Sequence, residues 1–387
     1  MRSFDGADTM SVMKRTLLTL VLFAAPLPVI AGFGLVKSYP QEPYNPNSIA
    51  VADFNGDGRD DVAATDEFCS DRTCSVMVFY QTAGGTYAAP VILSGTDHES
   101  DIQAGDFNGD GRVDIAVAAH DLFVYLQQPG GTFAAPVRYD VSDDLYDLSA
   151  GDVDRDGRQD IVAMPWGGSR MHVFAQQKDG TLRDTAYPMS GSGYDDFDLA
   201  DLNGDGALDA IDVSGRIHVA YGRPAGGFDP PVEIKLPWSV TADSIEEADF
   251  NGDGRVDLAI ITYGGSPDYQ PFVGLLLQTP AGTFEAGPRL ITYHWPHTLL
   301  VRDLNGNGRA DIAVAAGDSI QMWMQTASGT FLYEEVALPL FSNFAAHDHL
   351  AVGDANGDGV PDLLVGLDNG ALAVFDGIGP RRRTVSH

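Results

Sequence analysis

One nine-residue segment, D-x-[ND]-x-[DN]-G-x-x-D, occurs seven times in this chain. It begins at Asp53, Asp106, Asp152, Asp201, Asp249, Asp303 and Asp354, so successive copies start 53, 46, 49, 48, 54 and 51 residues apart. A period near 50 residues fits one four-stranded propeller blade. It overrides the two or three domains that 387 residues would otherwise suggest. Each repeat has the same grammar. A short apolar strand precedes the segment (Ser48 to Ala52, Asp101 to Gly105), and a second, more buried strand follows it (Val62 to Ala64, Ile115 to Ala118). A third strand comes after a variable loop, as in Val76 to Tyr80 or Leu122 to Leu126. A glycine turn then opens the fourth, as in Gly131-Thr132-Phe133, Gly180-Thr181-Leu182 and Gly282-Thr283-Phe284. Short β-rich runs punctuated by Gly and Asp leave no room for a long amphipathic helix. The expected fold is all-β, a seven-bladed β-propeller over residues 32–379.

The glycine turn occurs six times rather than seven. Residues Gly32 to Tyr39 read like Phe133 to Tyr139, which predicts that an N-terminal strand at 32–41 completes the last blade and closes the ring.

The repeated segment carries the ligand chemistry of calcium, which takes about seven hard oxygens in a flexible arrangement. Side-chain oxygens at positions 1, 3, 5 and 9, with the backbone carbonyl of position 7, can wrap one ion. Glycine at position 6 permits the tight turn. The first loop offers Asp53, Asn55, Asp57, Arg59 and Asp61; the second Asp106, Asn108, Asp110, Arg112 and Asp114; the third Asp152, Asp154, Asp156, Arg158 and Asp160. The fourth offers Asp201, Asn203, Asp205, Ala207 and Asp209; the fifth Asp249, Asn251, Asp253, Arg255 and Asp257. The sixth offers Asp303, Asn305, Asn307, Arg309 and Asp311, and the seventh Asp354, Asn356, Asp358, Val360 and Asp362. Arginine at position 7 fits if only its carbonyl is a ligand and its side chain faces water. An EF-hand needs a Glu at position 12 and flanking helices. Position 12 here is Ala64, Val117, Ala163, Asp212, Ile260, Val314 and Val365, so EF-hands are excluded. A single copy would pass as an Asn/Asp/Gly turn. Seven copies place 21 carboxylates at positions 1, 3, 5 and 9, which repel one another strongly without cations. About seven Ca²⁺ ions are expected.

On these residues the chain resembles the FG-GAP/VCBS repeat family, whose best-known members form the head propellers of integrin α chains. Its Phe-Gly and Gly-Ala-Pro signatures are reduced here to G-T-[FY]-x-x-P, as in Phe133-Ala134-Ala135-Pro136. Integrin-like propellers carry fewer calcium loops, so the resemblance points to bacterial-type secreted members and carries over no integrin role.

A formal net charge of −32 argues against nucleic acid and anionic membrane as partners. Residues 1–31 read as a secretory signal: Lys14 and Arg15, then an apolar stretch from Leu17 to Ile30, then the small-residue site Val29-Ile30-Ala31. Asp5 and Asp8 are foreign to such a signal, which puts the start of translation at Met10 or Met13. No other segment is expected to span a membrane, and a secreted location, periplasmic or extracellular, follows. In that compartment Cys69 and Cys74 are expected to form a local disulfide. Arg381 to Arg383 form a basic tail at 380–387.

No nucleophile elbow, zinc motif, phosphate loop or dinucleotide fingerprint is present. The expected role is a binding or adhesion module, monomeric, for a carbohydrate or a cell-surface protein ligand. A polysaccharide-acting enzyme of lyase or dehydratase type, or a purely structural surface protein, stays open as the alternative. If the repeated loop joins strands one and two, the opposite face carries the residues five places before each loop: Ser48, Asp101, Asp147, Asp196, Ser244, Thr298 and His349. These polar residues, Asp101, Asp147, Asp196 and His349 among them, are the expected ligand site with Trp166, Trp238 and Trp295 from nearby loops; the alternative is that polar residues simply start strands at a wet rim. Aromatic faces beside carboxylates suit a sugar.

Overall fold

A computed structural model of the chain describes residues 34–40, 46–66, 74–96, 100–141, 143–190, 196–263, 270–338, 350–367 and 371–377. The signal-like segment 1–31, Cys69, the side chain of Cys74, His349 and the tail 380–387 lie outside the described residues. Strands form seven four-stranded antiparallel sheets, and no helix occurs among the described residues.

The first three blades run from Pro46 to Thr96, from Asp101 to Tyr139 and from Leu145 to Pro188. The next three run from Asp196 to Ile234, from Ala242 to Ile291 and from Pro296 to Ala337. Blade 7 draws on both ends of the chain. Its first three strands are Leu350–Gly353, Asp362–Leu367 and Ala371–Asp376, and its fourth is Gly34–Pro40. That strand runs antiparallel to Ala371–Asp376, from Gly34 opposite Asp376 to Pro40 opposite Ala371.

Burial explains the apolar pattern of each strand. Every residue of the second strand is buried in all seven blades, because a neighbouring blade covers each face. Sequences such as Asp-Ile-Ala-Val-Ala at Asp114–Ala118 therefore lack the alternation of a half-exposed strand. The fourth strands lie at the rim and are largely exposed, as at Val91–Thr96 and Phe331–Ala337. The core is accordingly divided into seven apolar clusters, one at each blade junction. First strands of successive blades pack side by side and enclose a central cavity of about 390 Å³.

Candidate functional site

The repeated segment forms the connection between the first and second strands of each blade, and its seven copies lie at one end of their strands. Glycines at positions 4 and 6 adopt positive φ, for example +77° at Gly56 and +82° at Gly58. The third loop puts Arg155 at position 4, at φ +62°, the one non-glycine residue in this region among the described residues.

Position 1 organises the turn. Asp53 Oδ1 accepts the amides of Gly56 (2.7 Å) and Asp57 (3.0 Å), and Oδ2 accepts that of Gly58 (2.7 Å). Partial burial pushes this carboxyl up, but the amide bonds together outweigh it and hold Asp53 below the usual range. Position 9 is a staple. Asp114 is wholly buried, and its carboxylate accepts the amide of Phe107 (3.1 Å) in its own loop and of Gln127 (2.8 Å) at the end of the third strand. The same double bond recurs at Asp61, Asp160, Asp209, Asp257 and Asp311. Burial pushes Asp61 and Asp114 up to about 7 and Asp160, Asp209, Asp311 and Asp362 up to about 6, against the lowering effect of these amides.

The position-7 arginines correct one expectation. Arg59, Arg112, Arg158 and Arg255 stay part-exposed but do not simply face water. Each turns back onto the position-5 carboxylate of its own loop, Asp57, Asp110, Asp156 or Asp253, while its Nε donates to the carbonyl of Gln81, Gln127, Gln176 or Gln278. A guanidinium two residues from a carboxylate is the nearest available countercharge. In the sixth loop Asn307 takes the place of that Asp, donating through Nδ2 to Gln325 O (2.8 Å). All side-chain donors at positions 1, 3, 5 and 9 are hard oxygens. In the third loop, one oxygen from each of Asp152, Asp154 and Asp156 lies within 4.8 Å of the others. That chemistry and spacing fit a hard cation such as Ca²⁺.

A residue that sequence reasoning missed links these loops. Gln176 donates its backbone amide to Asp160 (2.8 Å) and accepts Arg158 Nε (2.9 Å), while its Nε2 donates to Asp106 O (2.7 Å) in the loop of the preceding blade. Gln81 likewise reaches Asp354 O, Gln278 reaches Leu202 O and Gln325 reaches Phe250 O. The signal was present: in five blades a Gln stands four residues before the turn glycine, at 81, 127, 176, 278 and 325.

At the opposite face the expected ligand ring is corrected. Asp101 and Asp147 are buried, and their carboxylates tie neighbouring blades together. Asp101 accepts Ser48 Oγ (2.6 Å) and Leu148 N (2.9 Å), and Asp147 accepts Phe197 N (3.0 Å). Half-buried Asp196 accepts Ser244 Oγ (2.7 Å) and Ile245 N (2.9 Å). Each of these three carboxylates satisfies an amide in the next blade and ties the two blades together there. Trp238 is partly buried, edge-on to Phe272 at 5.5 Å and packed over Gly274. Trp166 and Trp295 remain at the surface, 48% and 55% exposed. Tyr146 braces Trp166 edge-on at 5.1 Å, and Tyr263 stacks on Trp295 at 4.9 Å.

The central cavity holds a polar group with no counterpart in the sequence reading. Gln103, Ser149, Asp198, Glu246 and Arg302 line it beside Ala50, Leu300 and Ala351. Arg302 lies 3.2 Å from Glu246, and Ser149 Oγ donates to Asp198 at 3.2 Å. Burial pushes Glu246 up to about 8, more than the guanidinium lowers it.

A model of the FG-GAP-like repeat matches residues 53–117, 106–163, 152–211 and 303–365. Two crystal structures share the fold, both of BBS1N in complex with ARL6DN, one soaked with mercury and one with lead. The first is 14% identical, covers 91% of this chain and 97% of its own, and superposes with a TM-score of 0.59. For the second the values are 14%, 92%, 98% and 0.56. No curated protein matches the chain.

Proposed function

This chain belongs to the FG-GAP-like repeat family, and we propose that it is a secreted binding propeller whose seven loops are organised by Ca²⁺ and whose opposite face holds a carbohydrate or protein ligand. The observation that carries this reading is the Asp152, Asp154 and Asp156 oxygen cluster within a loop repeated seven times. Positions 1, 3, 5 and 9 of each loop would hold the ion with the position-7 carbonyl. The ion supplies the positive charge that lets these carboxylates share one turn. The chain's own residues then do the rest: position 9 staples the loop to the third strand, and the glutamines carry its position to the next blade. Exposed Trp166 and Trp295 on the other face offer apolar area beside polar groups. The propeller of BBS1N was crystallised with a protein partner, ARL6DN, which supports a binding role for a ring of this shape.

Thermal melting tests the proposal. EDTA should lower the Tm substantially, and Ca²⁺ should restore it more effectively than Mg²⁺, because ions that bind only the folded chain stabilise it by mass action. A melt indifferent to chelator overturns the calcium assignment. Binding to polysaccharides and cell-surface proteins, measured with and without Ca²⁺, tests the rest; a chain that retains none of either class is not a binding module.

A further inference from the structure

Between blades 2 and 3, on the face away from the repeated loops, lies a recess of about 220 Å³ lined by Ser100, Ala119, His120, Asp144, Leu145 and Trp166. Its walls are held by backbone bonds that cross the junction or brace the rim. Leu145 N donates to Ala119 O (2.9 Å), Trp166 N to Asp144 O (2.7 Å) and Ser100 N to Ala118 O (2.9 Å). The recess is therefore pre-formed, which lowers the ordering cost of binding. Trp166 supplies a half-exposed indole, and Tyr146 meets it at an interplanar angle of 80°, fixing its tilt. His120 Nδ1 lies 2.6 Å from Asp144 Oδ1, and both side chains are well exposed.

Resting on the reading of the propeller as a binding module, we propose that this recess is a subsite for one neutral pyranose residue of a glycan, stacked on Trp166 with its hydroxyls bonded to Asp144 and His120. Size favours a single ring, since pockets for drug-sized ligands start at about 300 Å³. One aromatic face beside an edge-on tyrosine makes a platform for a sugar's C–H face, not the several-sided cage that a quaternary ammonium requires. His120 already sits against the carboxylate, so the Asp–His pair presents both an acceptor and a ring nitrogen to a diol. A net charge of −32 disfavours uronates and sulfated sugars.

The full mature chain, in saturating Ca²⁺, is titrated with methyl glycosides of neutral hexoses and of uronic acids, read by tryptophan fluorescence and ligand-observed NMR. A neutral glycoside should bind the parent. Trp166→Ala and Asp144→Asn should each weaken it by about tenfold, while Val232→Ala, on the exposed fourth strand of blade 4, should change it less than twofold. Trp166→Phe should retain part of the affinity, and all variants should keep the parent's EDTA-sensitive melt, separating a lost subsite from a lost fold. Binding unchanged by Trp166→Ala, preference for uronates, or no glycoside bound by a chain that still melts with EDTA sensitivity would each overturn the subsite. The last result, with a protein ligand captured in Ca²⁺, would leave the binding module standing with a different ligand class.

Discussion

Within each loop, two aspartates of the same type do opposite work. Asp311 is buried and accepts the amides of Leu304 (3.1 Å) and Gln325 (2.6 Å); Asp303 caps exposed amides that water can also satisfy. Asp311→Ala strands two buried donors, each worth about 1–3 kcal/mol, so it should lower unfolding stability by about 2–5 kcal/mol even in EDTA. Asp303→Ala should cost much less in EDTA and act mainly through lost Ca²⁺. Urea unfolding of both variants with and without chelator measures the difference; equal losses in EDTA would refute the division of labour. The loops should also differ among themselves. The third, with four carboxylates and three of them converging, should hold Ca²⁺ longest as the ion is withdrawn, and the sixth, with Asn307 tied to Gln325, should lose it first. Anomalous scattering from crystals grown at limiting Ca²⁺ reads the order directly. Residue types and spacing made the candidate ligands legible. They did not reveal that position 9 also staples the loop through two backbone amides, because an Asp that only binds an ion and one that also accepts amides look identical in one dimension. The polar residues before each first strand misled for the same reason: Asp101 and Asp147 meet amides some 50 residues away, in the next blade.

The glycine turn, legible as a strand opener, proves at Gly85, Gly131 and Gly180 to be a contact between blades. At Gly180, φ is +79° and an added Cβ would lie 2.7 Å from the carbonyl oxygen of Asn108, position 3 of the preceding loop. Gly131 stands similarly against Asn55, and Gly85 against Asn356. Gly282 has nearly the same φ, +72°, with nothing within 4 Å of the added atom. Gly282→Ala should therefore cost about 1–2 kcal/mol for the left-handed backbone alone. Gly180→Ala should cost that plus about 1–3 kcal/mol for displacing the Asn108 carbonyl, and should also weaken Ca²⁺ at the second loop. Equal costs at the two sites would show that the turns do not seat on the loops. The strands themselves were legible from apolar runs and glycine punctuation because each blade is local in sequence. The glutamines were not, because the loop between strands two and three varies in length and shifts them relative to the repeated segment. Counted backwards from the turn glycine they fall into register.

Around the whole ring, the central cavity and the closing strand respond to different variables. Glu246 faces Arg302, Asp196 and Asp198 in the cavity, and burial raises it to about 8. A carboxyl raised above its unfolded value makes the folded chain hold the extra proton. The stability this confers is present below about pH 4 and is lost as pH rises toward 8. Glu246→Gln should therefore gain stability over the parent progressively from pH 5 to pH 9, both in the same saturating Ca²⁺; a constant gap would place Glu246 in contact with water. Closure is a matter of topology. Ala371–Asp376 contributes Leu372 and Val374 to the junction with blade 1 and Ala371, Ala373 and Phe375 to the junction with blade 6. Its outer edge is paired by Gly34–Pro40 alone, so losing that strand unpairs a backbone that supports both junctions. A ring transmits such a loss, since each blade is buried between two others. Deleting residues 34–40 should lower the Tm of the entire chain in a single transition by several degrees, with no separate low-temperature step from one frayed blade. It should also bare a strand edge that pairs with other chains and raises the oligomeric state. A synthetic peptide of residues 32–41 should bind the truncated ring, restore the Tm and return it to the parent's size. A truncated chain that melts with the parent, or that ignores the peptide, would refute closure by this strand.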